Sequence, residues 1–254
     1  MCILSDERAV YYVEMHLEQK KAFCSLPALP YGEGAKTFVG RQDLLNLLHS
    51  KFSEYHTVVL TGLGGIGKTR TAVEYIYKHR RDYYVALWVN ADTTKRIRSD
   101  FVKIAQQLID CESKATVDKN KANPDYRPFF HDMKIDGLVD DRGRVSTEDS
   151  DIDQAIEVVK VWLSQERSGS WLLIFDNADD LNTVPLREFF PTMVNDRGTK
   201  ILVTSRDQEG ARFGIGISVP PLTEYEAVRM LLLLVGREFK ALGILLKNSL
   251  VDII

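Results

Sequence analysis

A chain of 254 residues is long for one domain and short for two, and its net charge of −3 argues against a protein that grips nucleic acid by bulk electrostatics. Hydrophobic residues make up 44% of it, an ordinary share for a globular protein with a sizeable core. The three cysteines, Cys2, Cys24 and Cys111, are widely spaced, form no ligand cluster, and fit a reducing compartment. The first residues lack the apolar core of a signal peptide, and the late apolar run Met230 to Val235 is too short to span a bilayer. The expectation is a soluble, cytoplasmic protein with no direct nucleic-acid or membrane partner.

Residues 6–24 carry Val10, Val13, Met15 and Leu17 among polar residues and predict an amphipathic helix. Residues 25–36, with two prolines and two glycines, read as a linker. A helix over about 42–52 follows, with Leu44, Leu45, Leu47 and Leu48. Thr57-Val58-Val59-Leu60-Thr61 reads as a buried strand, and 69–81 as a helix with Ala72, Val73 and Ile76 on its apolar stripe.

Further strands are predicted at 84–89, 171–175, 200–204 and 215–219. The middle ones are near-continuous apolar runs, as in strands buried on both faces of a parallel sheet. Helices are predicted between them at 94–109 and 154–163. The alternation predicts an α/β fold with a five-stranded parallel sheet and helices on both faces. Residues 112–153 break the rhythm, with 11 acidic and 7 basic side chains and few aliphatics; they read as a polar, partly disordered surface insertion. After Pro220-Pro221, Thr223-x-x-Glu226 is a capping box that opens a helix over 224–234. The division is thus 1–36, a nucleotide-type domain over 37–221, and a partial helical segment or tail over 222–254.

The chemistry concentrates in Gly62-Leu63-Gly64-Gly65-Ile66-Gly67-Lys68-Thr69, which fits the phosphate-loop pattern G-x-x-x-x-G-K-[ST]. Glycines let the backbone curl so that successive N–H groups face a phosphate, and the helix N-terminus adds its positive dipole end. In such a loop Lys68 reaches the β- and γ-phosphates and the Thr69 hydroxyl serves Mg²⁺. A strand, the loop and a helix stand in the order the motif requires. A second acid for Mg²⁺ is expected at the tip of another buried strand, and Asp176 ends Trp171-Leu172-Leu173-Ile174-Phe175. Asn177 stands where many such ATPases carry a further acid, and an amide cannot take a proton from water. Asp179 and Asp180 are read mainly as helix caps. Hydrolysis is therefore expected to be slow. Thr204-Ser205-Arg206 closes a strand with an arginine able to sense a γ-phosphate. Arg70 is a long cation where a small hydroxyl residue is common. The guanine-selective N-K-x-D pattern is absent, Asn120-Lys121-Ala122-Asn123 being a near miss, so adenine is favoured.

As a set, these motifs resemble the NB-ARC domain of STAND signalling NTPases such as NOD-like receptors and apoptotic-protease activators. The resemblance covers about residues 37–235 and rests on Phe38-Val39-Gly40-Arg41, the phosphate loop, Leu87-Trp88-Val89, Leu172 to Asp176, Gly198 to Arg206, and Val219-Pro220-Pro221-Leu222. It implies a sheet whose fourth strand lies between the first and the third. It implies that Phe38, Val39, Gly40 and Arg41 line the adenine side, and that Gly62, Gly64, Gly65, Ile66, Gly67, Lys68, Thr69 and Arg70 hold the nucleotide. Lys68, Asp176 and Arg206 would act on the phosphates, with Thr69 and Asp176 at Mg²⁺. ADP would be held at rest, and exchange for ATP would drive homo-oligomerisation of an intact protein. The Gly-Leu-Pro-Leu-Ala, winged-helix and sensor regions that continue the family do not follow, so the resemblance implies a truncated member. Two other readings compete: an interaction module with a vestigial pocket, suggested by Arg70, Asn177 and the truncation, and a working AAA-type ATPase or P-loop kinase.

Overall fold

A computed structural model describes residues 24–26, 38–116, 138–139, 144–165, 169–180, 183–192 and 198–234. The elements are β1 (Cys24–Leu26), α1 (Gln42–Glu54), β2 (Thr57–Thr61), α2 (Lys68–Lys78), β3 (Val85–Asn90), α3 (Thr94–Thr116), α4 (Asp149–Leu163), β4 (Trp171–Asp176), β5 (Lys200–Ser205), β6 (Ile215–Ser218) and α5 (Glu224–Leu234). Short 3₁₀ turns at Leu186–Phe189 and Gln208–Phe213 precede β5 and β6 respectively.

All strands pair in parallel, in the order β1-β3-β4-β5-β2-β6. The five expected strands are present, and the fourth of them, β5, lies between β2 and β4 as the resemblance implied. A sixth, three-residue edge strand at Cys24–Leu26 was not expected. It pairs with Val85 to Leu87 and occupies residues where the sequence predicts the end of a helix and the start of a linker. The rest of the expected 6–24 helix and 25–36 linker, the Asn120-Lys121-Ala122-Asn123 stretch and the tail after Leu234 lie outside the described residues.

The sheet has a core on each face, because side chains alternate along a strand. Leu172, Ile174, Val58, Leu60 and Leu202 pack against α1 and α2 through Leu45, Leu48, Val73 and Ile76. Trp171, Leu173, Phe175, Val59 and Val203 pack against α3 and α4 through Phe101, Ile104, Val159 and Trp162. A strand with both faces covered needs apolar residues throughout, which is why β4 reads as one continuous run. The Trp171 indole N–H also donates to Leu163 O at 2.8 Å, tying β4 to the end of α4.

The polar stretch 112–153 is narrower than its composition suggests. Helix α3 runs on to Thr116, and α4 begins at Asp149. Leu138 and Val145 are buried in the core between them, and the Val145 N–H donates to Gln106 Oε1 at 2.7 Å. A few apolar residues among many charges are enough to anchor the returning chain.

Candidate functional site

The loop between β2 and α2 lies at the carboxyl end of the sheet, where open α/β folds gather their ligands. Gly67 caps α2 with a left-handed backbone (φ 99°), which a side chain rarely tolerates. A Cβ there would also meet Arg41 Nη1 at 2.9 Å. Lys68 is buried against the loop, and its ammonium donates to Gly62 O (2.8 Å) and Leu63 O (3.0 Å). Burial pulls its pKa down; the carboxylates of Asp179 and Asp176 oppose the shift, and Arg206 adds to it. A partly desolvated ammonium at a helix N-terminus suits a polyanion.

Asp176 ends β4 at 4% exposure. Its Oδ1 accepts from the Thr69 hydroxyl at 2.9 Å and from the Thr204 hydroxyl at 2.6 Å. Burial raises its pKa, against the bonds from Thr204, Thr69 and the Asn177 backbone, which favour the carboxylate. The two sequence-predicted metal residues are therefore in direct contact. Their donor set, a hydroxyl and a carboxylate oxygen, is the hard oxygen type that suits Mg²⁺. The sequence reading did not single out Thr204 as a partner of Asp176; its place opposite the β4 tip follows only from strand order.

Arg206 begins the loop after β5, its side chain 66% exposed. Its guanidinium lies over the phosphate loop, with the central carbon 3.3 Å from where a Cβ on Gly64 would be. Asp179 holds it through Nε (2.9 Å) and through the Arg206 backbone N–H (2.7 Å). The sequence reading made Asp179 mainly a helix cap. In the fold it faces an arginine instead, whereas Asp180 does cap a local turn by accepting from the Thr183 N–H at 3.2 Å. Asn177 has a left-handed backbone (φ 63°), which asparagine tolerates better than most residues.

Beside the loop is a cleft of ≈ 280 Å³ lined by Phe38, Val39, Arg41, Gly65, Ile66, Gly67, Arg70, Leu222 and Met230. Most of the residues expected to line the adenine side thus meet the phosphate loop here, and Arg70 borders the same space. Gly40 is instead pressed against the Glu226 side chain. Leu222 and Met230 come from the α5 region and close the far wall, a contribution not read from sequence. Arg41 stitches these parts together. Its guanidinium donates to Thr71 Oγ1 (3.2 Å), Pro220 O (3.2 Å) and Ile66 O, and its backbone N–H to Glu226 Oε1 (2.8 Å).

No protein-family model matches the chain. It is similar to a nucleotide-binding leucine-rich repeat (NLR)-like protein of Hyaloscypha variabilis, with 26% identity over 229 aligned residues. That alignment covers 80% of this chain and 19% of the relative, so the chain spans about a fifth of the length of the curated protein it matches. Among solved structures, a Walker-type ATPase of Pyrococcus abyssi aligns with a TM-score of 0.45 and 13% identity, covering 81% of this chain and 63% of the other. The NLR-like relative agrees with the NB-ARC resemblance read from the motifs. Among the described residues, no helix is long and apolar enough to cross a membrane.

Proposed function

We propose that this chain is an adenine-nucleotide-binding switch domain of the NB-ARC/STAND type, which holds ADP or ATP with Mg²⁺ and hydrolyses ATP slowly. The observation that carries the reading is the hydrogen bond between Thr69 and Asp176, at the tips of different segments, beside the buried ammonium of Lys68. Loop amides and Lys68 would hold the β- and γ-phosphates, as this loop type does generally. Thr69 and Asp176 would hold Mg²⁺, which supplies charge neutralisation between phosphate oxygens. The base would enter the largely apolar cleft beside Phe38, Val39 and Ile66, whose side chains offer it no hydrogen bonds.

Slow turnover is supported by Asn177, an amide with no capacity to accept a proton from water. Nucleotide binding is supported by the name of the Hyaloscypha relative; signalling by exchange of ADP for ATP, with homo-oligomerisation of an intact protein, is supported by the motif set alone. A cytoplasmic location is supported by the sparse, odd cysteine count.

Isothermal titration tests the reading. The wild type is expected to bind ADP and ATP in a magnesium-dependent manner, and Lys68→Ala to lose at least about tenfold in affinity, as expected when a charge-assisted contact is removed. Equal binding by Lys68→Ala, or no binding by the wild type, rejects it.

A further inference from the structure

Arg206 is poorly buried for a residue expected to read a phosphate, and an arginine this exposed has much rotamer freedom to lose. The fold limits that freedom through one carboxylate. Asp179 Oδ1 accepts from the Arg206 backbone N–H at 2.7 Å, and Oδ2 pairs with Arg206 Nε at 2.9 Å. Both contacts spare the two η nitrogens, to which no other described residue is bonded. One of them, Nη1, lies 3.5 Å from where a Cβ on Gly64 would sit. The arginine is thus presented over the loop, not withdrawn from it.

The placement of Asp179 is itself built in. β4 ends at Asp176, and the left-handed Asn177 turns the chain. The Asn177 N–H then donates to Thr204 Oγ1 (3.0 Å), and the Ala178 N–H to Thr204 O (2.9 Å). The turn is pinned to the end of β5, two residues before Arg206. Asparagine is among the few non-glycine residues that adopt this left-handed backbone readily.

We propose that Asp179 is a positioning residue that fixes Arg206 for the third phosphate, so that it sets the preference for a nucleoside triphosphate over a diphosphate. This rests on the nucleotide-binding reading above. Asp179 touches no phosphate. Its carboxylate keeps the guanidinium oriented, so that a γ-phosphate meets two N–H forks already in place. A diphosphate ends short of them and gains nothing from the arrangement.

The test is calorimetric titration of ADP and of the β,γ-imido analogue of ATP, with Mg²⁺, on the wild type, Asp179→Ala, Arg206→Ala and the double variant. Asp179→Ala is expected to weaken the analogue about tenfold while ADP stays within about twofold, the scale of one immobilised side chain. In the Arg206→Ala background, removing Asp179 is expected to cost nothing further, because the effect passes through the arginine. If Asp179→Ala does not fold, Asp179→Asn makes the same comparison. It keeps an oxygen for the backbone N–H and loses the negative charge that faces Nε. An unchanged triphosphate-to-diphosphate ratio, an equal loss of both ligands, or a gain in analogue affinity overturns the proposal. In each of these cases wild-type binding of ADP leaves the nucleotide reading standing. A wild type that binds neither ligand overturns both.

Discussion

Arg41 donates into three separate segments: the phosphate loop and first turn of α2 at Ile66 and Thr71, the exit of β6 at Pro220, and α5 at Glu226. The planar guanidinium reaches Thr71, Ile66 and Pro220 together in one fixed geometry, whereas the motifs alone place Arg41 only near the base. Truncation would leave the Ile66 and Pro220 carbonyls without the bonds that the guanidinium supplies. Arg41→Ala is therefore expected to lower unfolding stability by about 2 kcal/mol, a charge-assisted bond's worth, in urea titration. Arg41→Lys should recover less than half of that, since an ammonium lacks the fork. Stability unchanged in both variants would show that the bonds are idle. At the same scale, Asp176 and Asp179 differ by three positions and have separate tasks. The first is buried and joined to hydroxyls suited to a metal, while the second is half-buried and joined to a cation.

Two helix ends show how local signals connect to the site. At the start of α5, Glu226 completes the capping box: Oε2 accepts from the Thr223 N–H (2.9 Å), and the Glu226 N–H donates to Thr223 Oγ1 (3.3 Å). Its other oxygen accepts from the Arg41 N–H, so the cap also fastens α5 to the loop before α1. Glu226→Ala is expected to cost about 1 kcal/mol as a cap and to raise the hydrogen-exchange rate at the Arg41 amide. A protected Arg41 amide in that variant would separate the two roles. At the far end of α2, His79 stacks on His49 from α1 (4.1 Å between centroids) and on Tyr75, bonds Asp82 at 2.9 Å, and lies near Lys78. Burial lowers its pKa below 6.5, the Asp82 bond opposing. Across the window just below 6.5 the unfolded chain then binds more protons, so stability falls as pH drops through it. His79→Gln should flatten that slope between urea curves taken at neutral and mildly acid pH, and an unaltered slope would assign it elsewhere.

The carboxyl ends of β2, β4, β5 and β6 all open on one side of the sheet, and the whole candidate site lies there. Much of this was legible in sequence, because phosphate loops are contiguous and doubly buried strands read as apolar runs ending in polar residues. β1 was not legible: Cys24-Ser25-Leu26 is three residues long, and its pairing with β3 depends on residues about sixty positions away. The Arg206–Asp179 and Asp176–Thr204 pairs escaped notice for the same reason, since strand order alone makes them neighbours. At this scale a bound nucleotide acts on the entire folding equilibrium, not on a local segment. A ligand at about a hundred times its dissociation constant stabilises the native state by about 2.7 kcal/mol. For a domain near this size that corresponds to a rise of about 5–10 °C in melting temperature. Wild type with Mg²⁺ and ADP at that concentration is expected to show that rise in calorimetric scans, and Lys68→Ala, weakened at least about tenfold, to show about half of it or less. The presence of a rise separates a working nucleotide site from a vestigial pocket, because a pocket that no longer binds nucleotide has no mass-action term to add. A wild-type melting temperature indifferent to millimolar nucleotide would therefore mark an interaction module built on a retired phosphate loop.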